Sequence, residues 1–199
     1  MTDSPAVDLV LASTSRYRRK LLGRLTTRFR VVAPAVDETR EPEESPLGLA
    51  ERLARAKARA VSAACPAAWV IGSDQVAEVD GRILGKPGTG TAACEQLRAS
   101  SGRVVRFHTA VCVIGCHGGH VREQSATDLT HVVFRSLKDD EIARYVAREN
   151  PLDCAGSFKA EGLGITLFER IESSDPTALI GLPLIAVARL LRAAGMTLP

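Results

Sequence analysis

Two polar stretches in an aliphatic chain carry residue types that can do chemistry. In Trp69-Val70-Ile71-Gly72-Ser73-Asp74-Gln75 an apolar run gives way to three polar residues, the pattern by which a buried strand delivers a carboxylate to its end. The chain returns through Val76 to Val79, turns at the hairpin dipeptide Asp80-Gly81, and runs back through Arg82, Ile83 and Leu84 to a Gly85-Lys86-Pro87 corner. Asp74 and Lys86 either face one anionic substrate or are a surface carboxylate and a turn lysine. The second stretch is Ser13-Thr14-Ser15, followed by Arg16, Arg18, Arg19, Lys20 and Arg24. A charge run of this kind is ordinarily a solvated helix face. Cations in a first helical turn, however, oppose the helix dipole by roughly 0.3 to 1 kcal/mol each. A bound anion reverses that sign, because hydroxyls, backbone N–H groups and guanidinium forks all suit phosphate oxygens. The signature GxxxxGK[ST] is absent, and no GxGxxG follows a strand, so any phosphate site here is of another kind.

Three further features are candidates of lower information content. Asp37-Glu38 after an apolar segment is a metal or base site, or a polar loop. Lys57 shares a helical face with Leu53 and Val61, where core contacts belong, so it either snorkels or reaches into a cleft. The run Cys154-Ala155-Gly156-Ser157-Phe158-Lys159-Ala160-Glu161-Gly162-Leu163-Gly164 is a charged, glycine-rich loop whose backbone can approach a ligand closely, or a plain connection. Cys112, Cys116, His117 and His120 invite a zinc reading, which their spacing does not support: Cys112 falls inside a strand and the set fits no finger or ribbon.

The elements that must position these residues alternate along the chain. Strands are expected at Asp8 to Ala12, Phe29 to Ala33, the organising hairpin, Arg103 to Gly115, Val121 to Arg135 and Ile165 to Ile171. Helices are expected after Ser15, from Ser45-Pro46 to Ala64, from Ala92 to Ser100, after a capping box at Ser136 and Asp139, and from Pro183 to Gly195. That alternation predicts a mixed α/β fold. With 199 residues and 45% hydrophobic content the chain can bury a substantial core as one domain, residues 1–199. Aromatics are only 4%, which argues against a single-stranded nucleic-acid binder built on stacking platforms. No apolar run approaches the ~20 residues of a membrane span, and five scattered cysteines suit reduced thiols, so a cytoplasmic, membrane-free protein is expected.

Taken together and in order, Leu9-Val10-Leu11-Ala12-Ser13-Thr14-Ser15, Arg18-Arg19, Val36-Asp37-Glu38-Thr39, Gly72-Ser73-Asp74, Asp80-Gly81 and Gly85-Lys86-Pro87 resemble the Maf family of nucleotide pyrophosphatases. The details Gly72-Ser73-Asp74-Gln75-Val76 and Cys154 to Lys159 leading into Glu161-Gly162 are similar to the branch acting on 7-methyl-GTP. The resemblance implies an elongated α/β molecule, with a central sheet flanked by helices and two lobes around a cleft, commonly dimeric. It implies cleavage of a nucleoside triphosphate to monophosphate and pyrophosphate with a divalent cation. Carried over by position, Asp74 matches the proton acceptor. Ser13, Arg18, Arg19, Glu38, Lys57 and Lys86 match active-site positions, and Tyr17, Gln75 and Glu161 match those associated with substrate choice. Arg16 departs from the family, which often has proline there, and Tyr17 stands where this branch suggests tryptophan.

Anhydride hydrolysis needs neutralised oxygens, an in-line water and a proton acceptor. Ser13, Arg18 and Arg19 are the expected phosphate holders, with Lys57 and Lys86 closing the cationic shell. Glu38 and Asp74 are the expected oxygen ligands of Mg²⁺ or Mn²⁺, with Asp74 either the base itself or the holder of a metal-bound water. The expected substrate is a modified nucleoside triphosphate, 7-methyl-GTP. The alternatives are a Maf-type dTTP or UTP pyrophosphatase and a non-catalytic nucleotide or nucleic-acid binding protein linked to septum formation. Retained Asp74 and Glu38 weigh against the last, so no stable nucleic-acid partner is expected.

Overall fold

The computed structural model describes residues 8–117 and 120–198. Its centre is a seven-stranded sheet of mixed direction, flanked by five α-helices among the described residues. In chain order these are β1 (Leu9–Ala12), α1 (Arg16–Leu22), β2 (Arg30–Val32), α2 (Pro46–Ala64), β3 (Trp69–Val79), β4 (Arg82–Leu84) and α3 (Gly90–Ser100). They continue as β5 (Val104–His117), β6 (His120–Phe134), α4 (Asp139–Glu149), β7 (Phe168–Glu172) and α5 (Leu184–Ala193). The strand order is β2-β1-β3-β5-β6-β7, with β4 beside β3 and off this path.

Local chemistry accounts for the element ends. The Ser45 side chain accepts the Gly48 N–H and Pro46 opens α2, while the Thr89 hydroxyl accepts the Ala92 N–H to start α3. Asp80 and Gly81 both take positive φ, at 48° and 79°, as the tight β3–β4 hairpin requires. Two expectations shift. The capping box of α4 runs from Glu141 back to the Lys138 N–H rather than from Ser136 to Asp139. The strand expected at Ile165 to Ile171 begins only at Phe168, because Leu163–Leu167 forms a 3₁₀ turn in which the Thr166 hydroxyl bonds back to the Leu163 carbonyl.

The strands' two faces build separate cores. Trp69 and Ile71 face α1 and α5 with Leu9, Leu11, Leu21, Leu22, Val187 and Leu191. Val70 and Val76 face α2 with Val10, Leu49, Leu53 and Val61. A third core, around Phe107, Phe134 and Phe158, holds α3 and α4 against the other end of the long strands. Edge-to-face ring contacts at 5.3 Å and 5.6 Å fix Phe158 there.

The consequential departure from expectation is in β3. It does not stop at Gly72 but runs unbroken to Val79, so Asp74 is a mid-strand residue. One edge of β3 is paired with β5 from Val70 to Glu78. The other edge is divided: β1 pairs it in parallel as far as Ala12 opposite Gly72, and β4 pairs it antiparallel from Ala77 opposite Leu84. Ser73, Asp74, Gln75 and Val76 lie in the gap, with no strand on that edge among the described residues.

Candidate active site

The gap in the sheet is the floor of a cavity of about 700 Å³. Ser13 to Arg18 line it from the end of β1, Ile83 to Lys86 from β4, and Asp153 to Ala155 from the loop after α4. Strand alternation sends the four gap residues to opposite faces. Asp74 joins the α2 face, whereas Ser73 and Gln75 face the segment before α5.

Asp74 is 11% exposed and its Oδ1 accepts a 2.7 Å hydrogen bond from Lys57 Nζ, on a side chain 6% exposed. The same ammonium lies 2.7 Å from Glu38 Oε1. Lys57 thus takes the second of its two expected roles and reaches into the cleft. Gly72 makes this reach possible: a Cβ there would stand 2.3 Å from the Ala54 carbonyl oxygen and 2.5 Å from the Ala58 nitrogen. Only a residue without a side chain lets α2 lie this close to the strand.

Arg18 completes the buried group. Its NH2 is 3.9 Å from Asp74 Oδ1, a charge contact, and its Nε donates to the Gly181 carbonyl at 2.9 Å. Burial presses the Arg18 pKa down, while Asp74 and Glu38 oppose that shift; a guanidinium starts high enough to stay charged. The hydrogen bond from Lys57 holds the Glu38 carboxyl below its ordinary range, with Lys86 and Arg18 adding to the effect. Lys86 is an exposed cavity residue, and Ser13 is buried at the end of β1 with its Oγ accepting the Ser15 N–H at 3.1 Å. Arg19 lies one helical step beyond Arg18, exposed and absent from the lining. The basic run therefore divides: Arg16 and Arg18 turn to the cavity, while Arg19, Lys20 and Arg24 form a solvated face.

Tyr17, Gln75 and Glu161 also line the cavity. Gln75 Nε2 donates to Thr109 Oγ1 at 3.0 Å, to the Ala178 carbonyl at 2.8 Å and to the Leu179 carbonyl at 3.2 Å. Those acceptors fix the amide's orientation and leave Oε1 as what Gln75 offers a ligand. Burial pushes the Tyr17 phenol up to about 12 and the Cys154 thiol up to about 11, so both stay protonated at neutral pH. Glu161 is exposed at the cavity's rim. The glycines beyond it serve the loop's own packing: a Cβ on Gly164 would stand 2.4 Å from the Lys159 carbonyl oxygen.

Several site residues had no distinct signal in the sequence. The Gly181 carbonyl accepts both Arg18 Nε and Ser73 Oγ, tying the segment before α5 to the cavity floor. Asp153 meets Arg16 at 3.1 Å, across 137 residues of chain. Its neighbour Cys154, which opens the glycine-rich loop, was the only hint.

The donor set suits a hard divalent cation in part. Two carboxylate oxygens, Asp74 Oδ1 and Glu38 Oε1, lie within 2.7 Å of one ammonium and hence close to each other. Mg²⁺ characteristically takes one or two carboxylates plus substrate phosphates and water. Among the described residues no group of three or more His, Cys, Asp or Glu side chains could hold a metal alone. Of the residues in the zinc reading, Cys112, Cys116, His117 and His120, the His117 side chain is not among those described, and Cys112 is buried in β5 opposite Ser125.

Comparison with known proteins agrees with this geometry. A family model described as "Maf-like protein" matches residues 8–194. A 7-methyl-GTP pyrophosphatase of Xanthomonas campestris pv. campestris is 61% identical over 191 residues, 96% of this chain and 98% of the relative. A protein of the same name from Aromatoleum aromaticum is 56% identical, covering 96% and 97%. Another, from Burkholderia pseudomallei, is 54% identical, covering 96% and 89%.

Proposed function

The chain belongs to the Maf family, and from that membership and the cavity's charge layout we propose that it hydrolyses 7-methyl-GTP to 7-methyl-GMP and pyrophosphate. The observation that carries the reading is Asp74: a buried carboxylate, paired with Lys57 at 2.7 Å and Arg18 at 3.9 Å, on the floor of a cavity lined by cations. A cavity of that volume is within the range of nucleotide-sized ligand sites.

In this reading Asp74 accepts a proton from the water that attacks the α-phosphorus. The bond from that phosphorus to the bridging oxygen breaks, and pyrophosphate leaves with the electron pair. Arg18, Lys86 and Ser13 bind the phosphates, and Lys57 holds Asp74 and Glu38 in place. Positioning and charge neutralisation are what such a reaction demands of a protein. Glu38 and Asp74 would hold a Mg²⁺ or Mn²⁺ ion, which when bound supplies further neutralisation of phosphate oxygens. Exposed Arg19 contributes at most a diffuse positive field.

At the base end, N7 methylation gives guanine a positive charge, which the face of Tyr17 attracts. The oxygens of Gln75 and Glu161 are acceptors for the N1–H and N2–H groups. The described residues include no helix long and apolar enough to cross a membrane, and the reading places the enzyme in the cytoplasm with its nucleotide substrates.

The test is hydrolysis in ¹⁸O water with a panel of competing triphosphates and Mg²⁺, Mn²⁺ or Co²⁺. Label in 7-methyl-GMP, with unlabelled pyrophosphate and preference over GTP, UTP and dTTP, is the expected outcome. Label in pyrophosphate overturns attack at the α-phosphorus, label only in orthophosphate overturns the pyrophosphatase, and preference for UTP or dTTP overturns the base assignment.

A further inference from the structure

The base end of the cavity already contains a cation, supplied by the chain itself. Arg16 Cζ lies 4.8 Å from the centroid of the Tyr17 ring. Its NH2 donates to the Tyr17 hydroxyl at 2.8 Å and to Asp153 Oδ2 at 3.1 Å. Tyr17 Oη and Asp153 Oδ2 are 3.4 Å apart, so aromatic ring, phenol and carboxylate form one small cage. All three residues line the cavity that holds Arg18 and Asp74. An aromatic face beside a carboxylate is the chemistry that recognises flat, delocalised cations, and a guanidinium is one.

We propose that Arg16 is a tethered stand-in for the cationic base of the substrate, and that Asp153 is the residue that reads the base's charge. The inference rests on the 7-methyl-GTP reading above. A 7-methylguanine ring is also a flat cation with its charge spread over a nitrogen heterocycle. When it slides onto Tyr17, Arg16 leaves for solvent and the charge beside Asp153 is replaced. A neutral guanine displaces the same guanidinium without replacing its charge, and leaves the carboxylate uncompensated beside the bound base. Discrimination then comes as much from what the wrong base fails to restore as from what the right one gains.

Two features favour exchange over a fixed bridge. The Arg16 side chain is 71% exposed and that of Asp153 50%, so their pair is easily opened. Asp153 is also anchored apart from Arg16, since its other oxygen, Oδ1, accepts the Cys154 thiol at 3.5 Å. Its carboxylate therefore remains positioned after Arg16 departs.

Steady-state kinetics of the full chain with 7-methyl-GTP and GTP test this in Asp153→Asn and Arg16→Ala, with circular dichroism confirming the fold of each. Asp153→Asn is expected to narrow the KM ratio between 7-methyl-GTP and GTP roughly two- to fivefold, the scale of an exposed ion pair, mainly by lowering KM for GTP, which no longer leaves a carboxylate uncompensated. Arg16→Ala is expected to lower KM for both nucleotides by about threefold as their common competitor disappears, and to leave the ratio between them near the wild-type value. A ratio unaltered by Asp153→Asn overturns the inference, as does a higher KM for 7-methyl-GTP in Arg16→Ala, which would make Arg16 a substrate ligand. A wild-type enzyme that does not distinguish the two nucleotides overturns the functional reading itself, and this inference with it.

Discussion

The cavity has two ends, each with a lysine or arginine paired to an aspartate, and the two pairs differ in almost everything but charge. Lys57 and Asp74 meet at 2.7 Å, buried, on a helix and the central strand. Arg16 and Asp153 meet at 3.1 Å, exposed, between the first turn of a short helix and a loop. The buried pair is also crosslinked, to Glu38 through Lys57 and to Arg18 through Asp74. The exposed pair has an aromatic ring as its platform and water around it. Burial makes an ion pair rigid and costly to split, whereas exposure makes it cheap to exchange. Proton transfer and phosphate positioning gain from the first condition, and choosing among bases gains from the second.

The largest contrast is expected in catalysis. Asp74→Asn keeps the shape of the side chain and leaves Lys57 its bond to Glu38, but removes the proton acceptor. Its kcat should fall by about 10²- to 10⁴-fold, the range for loss of a general base, with a far smaller change in stability. Retained turnover in Asp74→Asn would move the chemistry to another residue and remove the functional distinction between the ends.

Next in size is the effect of Lys57→Met on folding. It leaves Asp74 buried with Arg18 at 3.9 Å as its remaining cation. Splitting a buried pair in this way costs roughly 3 to 5 kcal/mol, which denaturant titration would read directly. Adding Asp74→Asn to Lys57→Met should restore most of the stability and none of the activity. If the double variant is no more stable than Lys57→Met alone, the loss comes from packing on α2 and not from an orphaned charge.

Glu38 sits between these extremes, bonded to a buried ammonium yet itself 60% exposed. Its carboxyl is held below the ordinary value of 4.5, chiefly by Lys57. A depressed folded-state pKa means a stabilising contribution present in full above the ordinary value and lost as pH falls through the folded one. The stability difference between the wild type and Glu38→Gln should therefore be constant near neutrality and shrink below pH 4.5. Its plateau should lie within about 1 kcal/mol, as for other solvent-screened pairs. A difference that grows on acidification would contradict the assigned bond.

The same division governs what the sequence disclosed. The regular elements carrying the buried end have local signatures: Ser45-Pro46 starting α2, Asp80-Gly81 turning the hairpin, and the apolar run entering β3. Asp74 and Lys57 were therefore visible as candidates, with Glu38 and Lys86 in the loops beside those elements, and Lys57 betrayed itself by standing on a core face. The polar run Ser73 to Gln75 nonetheless looked like the end of a strand. Whether β3 ends or merely changes neighbours depends on where β1 stops and β4 begins, and no local pattern encodes that. Arg18 and Arg19 differ only by one helical step, which separates them only once the packing of α1 is known. Asp153 was hidden for a plainer reason, since its partner is 137 residues away and a loop carries no periodicity to say which way a carboxylate points.

The smallest expected effect is the most direct check on that division. Arg16→Ala removes a hydrogen-bonded ion pair with a cation–π contact, a list that would be serious in a protein interior. Both side chains are half exposed or more, water solvates whatever is left, and freeing a long arginine regains side-chain entropy. Denaturant titration should therefore place Arg16→Ala within about 1 kcal/mol of the wild type, and the gap should narrow further in high salt. Asp153→Asn should do the same, since either substitution opens the same pair. A loss comparable with that of Lys57→Met would mean that the loop after α4 is fastened to α1 through this contact. The base end would then be as fixed as the phosphate end, and a guanidinium so firmly held could not give way to an incoming base.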